Sequence, residues 1–255
     1  MNKTHPEAKE LCTLLLRIGT LLMTSGSNTE RIRKTIQRIS TSFNYKAELV
    51  INHRSVLLSL ENENGDQVYT SLKRTGQHGV NFRILSGISR MSWTVIEEHW
   101  TVNQINEELD RLQALPHFPR IAVLLLVSLA GASFCRVAGG QIPDMLFAFA
   151  ATFVGLFVRQ ESIKLSFNTY LCVFFAALAA TLVAGFGYKL GIADPGNHGF
   201  VTSVLFLIPG VPLINSFSDL IDGNIQTGII RGINSLIYSF AIALGLLASM
   251  FVYQM

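Results

Sequence analysis

From Arg120 onward, the sequence consists mainly of apolar segments that are long enough to cross a lipid bilayer as helices. A helix needs about 20 predominantly apolar residues to cross the hydrocarbon core. Five such segments follow one another, at about 120–136, 142–158, 168–187, 200–218 and 229–253. Residues 120–255 contain 11 Asp, Glu, Lys and Arg residues, whereas residues 1–119 contain 26. The sequence therefore predicts a membrane protein whose domain 120–255 is an all-α bundle of five transmembrane helices.

Residues 1–119 have the charge density of a water-soluble domain, and they begin with helical periodicity. Apolar spacing predicts one helix over 7–24 and a second over about 28–42. Arg17 lies inside the first segment, so we expect an amphipathic helix there and not a membrane span. The segment Ser27–Glu30 has the spacing of a capping box, in which the Ser and Glu side chains bond each other's backbone amides.

The middle of this domain has the composition of β-strands. Segments rich in Val, Leu and Ile, bounded by turn residues, predict strands at 47–51, 54–61, 67–74 and 80–85. The pattern of residues 101–114 predicts a further helix, and Leu115–Pro119, with two prolines, is expected to be a linker. The sequence thus predicts an N-terminal soluble α+β domain over 1–119, linker included, followed by the membrane domain.

Charge and targeting patterns indicate how the chain is oriented. The first residues contain no apolar segment followed by a cleavage site, so we expect the N-terminal domain in the cytoplasm and the spans in the inner membrane. Five crossings then place the C-terminus outside. The net charge of +3 is spread along the chain, which argues against a nucleic-acid partner. Cys12, Cys135 and Cys172 lack metal-ligand spacing, and no metal or cofactor is expected.

The fourth predicted span is interrupted by two prolines, Pro209 and Pro212, with Gly210 between them. Each proline removes an amide donor and clashes with the carbonyl group four residues earlier. We therefore expect the carbonyls of Leu205 and Ile208 to lack helical partners. Broken helices in transporters present polar chain ends to substrates and coupling ions. The alternative is a simple kink whose backbone groups are satisfied by neighbouring helices.

Polar residues after this break are candidates for transport chemistry. Asn215 lies about one helical turn beyond Pro212, where its amide could hydrogen-bond a substrate. Asp219 and Asp222 are three residues apart and would share one face if the helix continues. Two interpretations stay open for them: carboxylates that titrate in a proton-coupled carrier or pair with a cation such as Arg231, and solvated loop charges.

Two further features are open between a structural and a functional role. Arg159 ends the second predicted span, where its side chain either extends to the membrane surface, which the sequence favours, or meets an anionic substrate. Small residues recur at every fourth position on the third and fifth spans, at Ala176, Ala180 and Ala184 and at Ala241, Gly245 and Ser249. Such stripes allow close helix packing, within the chain or with a partner.

The sequence resembles the threonine/serine exporter (ThrE) family, in the shorter, YjjP-like form of its split, two-subunit branch. The resemblance covers essentially the whole chain, and its most specific part is the segment Ile208–Asn215. The other matching residues are Asp219, Gly223, Thr227, Gly228 and Arg231, with support from Leu21–Arg31, Gly79–Asn81, Phe134–Arg136 and Val158–Gln160. So long a match makes transport the leading hypothesis.

The resemblance implies export of small polar solutes from the cytoplasm, and we expect this export to be secondary and proton-coupled. Threonine and serine are the substrates that give the family its name, and the split branch is associated with C4-dicarboxylates such as succinate. The resemblance also implies a second small membrane subunit of the YjjB-like kind, with a homo-oligomer as the alternative. We expect no enzymatic activity, because residues 1–119 show no nucleophile–base or metal-ligand set.

Our hypothesis for the mechanism places substrate at the proline break. Its candidate binding and transport residues are Pro209, Gly210, Pro212, Asn215, Asp219, Asp222, Arg231 and Arg159. Backbone amides at the break and the Asn215 side chain would hold the solute, Asp219 or Asp222 would exchange a proton, and the arginines would balance charge. The alternative function is a membrane-anchored sensor whose cytoplasmic domain binds a ligand or partner.

Overall fold

The chain is mostly helical and has one small β-sheet. The computed structural model describes residues 6–62, 64–76, 79–116, 118–192 and 198–254. Its elements, in chain order, are α1 Pro6–Thr24, α2 Thr29–Ser42, β1 Lys46–Asn52, β2 Ser55–Glu61, β3 Gln67–Arg74, α3 Phe82–Glu98, α4 Val102–Ala114, α5 Arg120–Val137, α6 Ile142–Lys164, α7 Thr169–Lys189, α8 His198–Thr202, a 3₁₀ helix Leu205–Leu207, α9 Gly210–Ile221 and α10 Ile225–Tyr253.

The N-terminal elements enclose a core of large aliphatic side chains. The apolar residues of α1 recur every three or four positions, and Leu11, Leu15 and Ile18 are almost completely buried. α2 contributes Ile32, Ile36 and Ile39, while α3 and α4 add Leu85, Ile88, Met91, Val95, Ile105, Leu109 and Leu112 to the same cluster. Helix α1 is therefore an amphipathic core helix, as its spacing and Arg17 predict.

The sheet is antiparallel in the order β1-β2-β3, and it turns one face toward this core. Alternate residues of β1 and β2 are buried, with Leu49 opposite Leu58 in the register. Cys12 on α1 lies over the sheet, where its thiol approaches the carbonyl oxygen of Leu58. Burial raises the pKa of the Cys12 thiol to about 11, so the thiol is protonated at neutral pH.

Two local predictions in this region are wrong. The segment 80–85 is not a strand: the Asn81 side chain accepts hydrogen bonds from the amides of Arg83 and Ile84 and begins helix α3. The capping box at Ser27–Glu30 is also absent. Helix α2 begins one residue later than that box requires, and Asn28 is its N-cap, accepting from the amide of Arg31 at 3.1 Å.

The later helices have the length and composition of membrane spans. α5, α6, α7 and α10 each contain an 18-residue window apolar enough to cross a bilayer, and the pair Gly199–Leu207 and Gly210–Ile221 passes that test only when taken together. Four candidate spans are thus found in the described residues, or five if the interrupted pair is one span. The count of five stays a prediction. Large apolar side chains on α5, such as Leu126 and Phe134, are more than half exposed.

Helices α5, α6, α7 and α10 approach one another through small residues. A Cβ atom added to Gly131 of α5 would lie 2.5 Å from the hydroxyl of Thr152 on α6. One added to Gly155 would lie 2.8 Å from the Cβ of Ala180, and one added to Gly245 would lie 2.8 Å from the Cβ of Ala177. The predicted small-residue faces of α7 and α10 are therefore used for packing within the chain.

By their internal contacts, the residues form two units. The first unit consists of Met1–Pro116 and Gly210–Ile233, and the second consists of His117–Pro209 and Asn234–Met255. Helix α9 and the first turns of α10 therefore pack with the N-terminal elements, although the predicted domain boundary at residue 119 groups them with the membrane domain. That boundary stays a prediction, and His117 of the predicted linker lies outside the described residues.

Candidate functional site

The proline-containing segment interrupts the helical structure at one point, between the 3₁₀ helix that ends at Leu207 and helix α9, which begins at Gly210. Ile208 has the extended conformation that a following proline favours, with φ −60° and ψ 126°. Helix α9 begins at Gly210, so Pro212 lies in its first turn, where amide groups have no helical acceptor in any case. The carbonyl of Leu205 accepts from the amide of Ile208 at 3.2 Å, which corrects the expectation that it lacks a partner.

Helix α9 has a polar face directed into the first unit. The Asn215 amide nitrogen donates to the carbonyl of Gly26 at 2.8 Å, and the Ser216 hydroxyl donates to the carbonyl of Gly228 at 2.7 Å. On the opposite face Ile214 and Phe217 are more than half exposed. The helix thus directs its hydrogen-bonding groups toward Gly26, after α1, and toward α10, and its apolar groups outward.

The centre of the site is a buried ion pair between Asp219 of α9 and Arg231 of α10. The Nη1 atom of Arg231 lies 2.9 Å from Oδ2 of Asp219. The Arg231 side chain is 8% exposed and the Asp219 side chain is 0% exposed. The backbone amide of Thr29 donates to Asp219 Oδ1 at 2.8 Å, and Arg231 Nη2 donates to the carbonyl of Ser27 at 2.9 Å. The site therefore neutralises two buried charges against each other and against backbone dipoles.

These groups converge on residues 25–29, the connection between α1 and α2, which we call the 25–29 turn. Gly26 occupies the left-handed region with φ +91°, a conformation that side chains disfavour. On its other side the turn is held by the amide of Gly79, which donates to Thr24, and by that of Asn81, which donates to Ser25. The turn is therefore fixed from two directions, by residues 79–81 and by α9 and α10.

Two hydroxyl groups of this turn have unused hydrogen-bonding capacity. The Oγ of Ser27 and the Oγ1 of Thr29 are buried, and neither has a hydrogen-bond partner in the part of the chain that the structure describes. Buried polar side chains are normally hydrogen-bonded. Both hydroxyls belong to residues whose backbone groups bind the Asp219–Arg231 pair.

Asp222 lies in a different environment from Asp219. Helix α9 ends at Ile221, Gly223 adopts φ +78°, and the Asp222 side chain is exposed, so the two carboxylates do not act from one helical face. Asp222 lines an open cleft with a volume of about 380 Å³. The other charged residues of this cleft are Glu30, Arg31, Lys34 and Arg38. Asp222 is thus an exposed charge and Asp219 a buried one, and a role of either carboxylate in transport stays a prediction.

Arg159 belongs to the second unit and lies inside a helix, not at its end. Helix α6 continues five residues beyond it, to Lys164, which is longer than the predicted span 142–158. The side chain is only partly exposed, its Nε is buried, and its electrostatic neighbours are Tyr238 and Cys172. Asn215, Asp219 and Arg231 thus belong to the first unit together with Gly210 and Pro212, whereas Pro209 and Arg159 belong to the second.

Sequence reasoning did not identify the residues that these side chains contact. The sequence of the 25–29 turn contains one recognisable signal, the Ser-Gly pair after α1, which is typical of a helix C-terminus. This pair does not indicate that the turn contacts Asp219, which lies 190 residues after Thr29. Near Arg159, the polar residues Tyr170, Asn234 and Tyr238 stand in apolar segments, which is the available signal for a functional role in a membrane domain.

Comparison with known proteins gives a consistent result. The family model described as "Putative threonine/serine exporter" matches residues 13–253. The chain is 22% identical over 253 residues to the "Probable succinate transporter subunit YjjP" of Klebsiella aerogenes, covering 98% of this chain and 96% of the relative. It is also 22% identical over 251 residues to the protein of that name from Escherichia coli K12, covering 97% and 96%.

A longer relative extends the comparison. The "Threonine/serine exporter" of Corynebacterium glutamicum is 21% identical over 250 residues, which are 94% of this chain and 51% of the relative. This chain therefore spans about half the length of that exporter. No solved structure matches the chain. Together with the apolar helices, these relatives support a multi-pass membrane exporter, and their names describe transport and not catalysis.

Proposed function

Because this chain belongs to the threonine/serine exporter family, we propose that it is one subunit of a secondary exporter that moves small polar metabolites out of the cytoplasm. The observation that carries this proposal is the buried Asp219–Arg231 pair, which joins the helix that begins at the proline break to the helix after it. Ionisable residues are rare in apolar segments, where they pair with one another and mark ion or substrate pathways. Interrupted helices are the usual place for such pathways in transporters.

A C4-dicarboxylate such as succinate is the favoured substrate class. Two relatives that align with this chain over 96% of their own length are named as subunits of a succinate transporter. Threonine or serine is the second candidate, favoured by the name of the longer exporter. A membrane-anchored sensor is a weaker alternative, because one anchoring helix would suffice for it and the chain has at least four candidate spans in the described residues.

The second half of the carrier is proposed to be a separate small membrane subunit of the YjjB-like kind, or else a second copy of this chain. Support comes from length, since the chain covers 51% of the exporter from Corynebacterium glutamicum. We place the assembly in the inner membrane, with residues 1–119 in the cytoplasm and the C-terminus outside. In inverted-repeat transporters the substrate site lies between the two halves.

Proton coupling is proposed to act through Asp219. A proton on its carboxylate would remove the charge that compensates Arg231 and weaken the hydrogen bond from the Thr29 amide. The 25–29 turn would then be held more loosely by α9 and α10. The interrupted segment that contains Pro209, Gly210 and Pro212 would be free to move. Asn215, released from the carbonyl of Gly26, would become available to the solute. Asp222 is exposed and has no part in this mechanism.

The test is gradient-driven succinate transport in vesicles that contain this chain and its second subunit. We compare the wild type with Asp219→Asn/Arg231→Gln, which replaces the buried pair by neutral amides of similar shape, and with the exposed control Asp222→Asn. The wild type and the control should accumulate succinate only while a proton gradient is present. The double variant should lose this dependence; gradient-driven accumulation at the wild-type rate in that variant would reject the coupling role.

A further inference from the structure

The second unit contains a polar cluster around Arg159, within helices that are otherwise apolar. Arg159 of α6 lies within electrostatic range of Tyr238 on α10 and Cys172 on α7. The ring of Tyr238 is 4.9 Å from that of Tyr170, centroid to centroid. The hydroxyl of Tyr170 donates to the Asn234 Oδ1 at 3.0 Å, and Asn234 lies one helical turn before Tyr238 on α10. Three helices therefore contribute polar groups to one place.

Arg159 has no counter-charge in this cluster. Among the residues that the structure describes, no Asp or Glu lies within ion-pair distance of its guanidinium, and its buried Nε has no hydrogen-bond partner. The nearby carboxylate of Glu161 is already occupied by Arg120 and Lys164. A partly buried cation that lacks an acidic partner is electrostatically costly unless an anion comes to it.

The groups around Arg159 are suited to a carboxylate. A guanidinium offers parallel N–H donors that match the two oxygens of a carboxylate, and such pairs are stronger than neutral hydrogen bonds. The phenol of Tyr238 is a further donor. Because Asn234 uses its amide oxygen to accept from Tyr170, its amide nitrogen remains as a donor on the same helix face. The cluster thus combines one fixed positive charge with neutral donors and no acidic group.

Extension toward lipid headgroups, which the sequence favours for Arg159, explains less of this arrangement. An arginine that extends to the surface buries its aliphatic stem and keeps its guanidinium in water. Here the Nε is buried, and the side chain as a whole is only partly exposed. Lipid phosphate and a soluble carboxylate are both anions, so the experiment must separate these two sources.

We propose that Arg159, assisted by Tyr238 and Asn234, binds a carboxylate group of the transported metabolite. This inference rests on the proposed export function and adds a substrate-binding residue set in the second unit, apart from the Asp219–Arg231 pair of the first. Arg159 supplies the charge, and the Tyr170–Asn234 hydrogen bond orients the neutral donor. A C4-dicarboxylate would bind Arg159 through either of its two carboxylates. An amino acid would bind Arg159 through its single α-carboxylate.

The experiment measures equilibrium binding of radiolabelled succinate to the purified complex of this chain and its second subunit. The complex is held in phosphatidylcholine nanodiscs, which contain no anionic lipid. The variants are Arg159→Gln, Arg159→Lys and the matched control Arg120→Gln, whose arginine lies in the same unit but is paired with Glu161. Arg159→Gln should weaken binding about tenfold or more, the loss expected for a charged hydrogen-bonded pair. Arg159→Lys should weaken it less, and Arg120→Gln should bind as the wild type does.

Equal succinate affinity in the wild type and Arg159→Gln would overturn the proposal, as would an absence of binding in the wild type. A second set of nanodiscs contains phosphatidylglycerol. If Arg159→Gln leaves succinate binding intact and instead abolishes retention of this lipid, the anion is a lipid headgroup and the proposal is also overturned. Transport is assayed separately. Arg159-dependent binding without any export would reject the exporter function alone, whereas export by Arg159→Gln at an unchanged KM would reject this binding site alone.

Discussion

Arg231 and Arg159 are both arginines within apolar segments, yet their surroundings differ completely. Arg231, in the first unit, contacts the buried carboxylate of Asp219 and a backbone carbonyl of the 25–29 turn. Arg159, in the second unit, has Tyr238 and Cys172 within electrostatic range and no acidic partner in the described residues. The first charge is neutralised within the fold. The second has no such compensation in the described part of the chain.

This difference separates two tasks that a carrier needs. A compensated pair can hold two segments together and release them when its carboxylate gains a proton. An uncompensated guanidinium can attract a substrate anion but contributes little to holding the fold together, because no internal partner depends on it. Substitutions at the two arginines should therefore have opposite profiles, with a large effect on stability at Arg231 and a small one at Arg159.

The largest effect is expected for breaking the Asp219–Arg231 pair. Asp219→Asn or Arg231→Gln leaves one buried charge without its partner, which costs about 3–5 kcal/mol of unfolding free energy. The double variant should cost less than the sum of the two, since two neutral amides leave no buried charge. Both tryptophans, Trp93 and Trp100, lie in the first unit, so urea unfolding followed by tryptophan fluorescence reports on this region.

The control is the exposed pair between Arg17 and Asp110 in the same unit, whose side chains are 25% and 68% exposed. Exposed pairs contribute about 0–1 kcal/mol, so Asp110→Asn should change stability little. Additive costs for the two single variants at Asp219 and Arg231, or a cost for Asp219→Asn no larger than that for Asp110→Asn, would contradict the assignment of a buried, mutually dependent pair.

An intermediate effect is expected from disturbing the turn that this pair holds. Alanine at Gly26 must adopt φ +91°, and its Cβ would lie 3.0 Å from the carbonyl oxygen of Gly79. Gly65, in the β2–β3 connection, has φ +82° but nothing within 4 Å of the position of an added Cβ. We expect Gly65→Ala to cost about 1 kcal/mol from backbone strain alone and Gly26→Ala about 2–3 kcal/mol.

The difference between these two alanine variants isolates the close packing of the turn from the conformational cost that they share. Urea unfolding with tryptophan fluorescence again provides the measurement. Equal costs at the two glycines would mean that residues 79–81 yield without penalty, and the turn would then not be tightly fixed from that side.

The sequence alone predicts well what depends on local periodicity. The spacing of Leu11, Leu15 and Ile18 indicates a buried helix face, and the alternation around Leu49 and Leu58 indicates strands with one buried face. The apolar segments after residue 120 predict helices at nearly the observed positions. These predictions agree with the structure because the residues that form each element are neighbours in the chain.

The predictions that fail are those that depend on a single side chain or on residues that are distant in the chain. Asn28 and not Ser27 caps α2, a choice between adjacent polar residues that the spacing rule does not resolve. Asn81 begins a helix where a short apolar segment resembles a strand. The environment of Asp219 depends on Thr29, 190 residues earlier in the chain, and no periodicity connects them. The sequence could therefore single out Asn215, Asp219 and Arg231 as candidates but not the residues of the 25–29 turn that they contact.

The smallest effect, and the sharpest test of the comparison, is expected at Arg159. Arg159→Gln removes a charge that has no acidic partner, so the desolvation cost that it relieves should offset the packing lost with the aliphatic stem. We expect the stability of the second unit to change by less than about 1 kcal/mol. The buried thiols Cys135 and Cys172 both lie in this unit. In a Cys12→Ala background, their reaction with a thiol-sensitive dye on heating therefore measures its unfolding. A loss as large as that at Arg231 would mean that Arg159 holds the helices together, and its charge would then be structural and not reserved for a substrate.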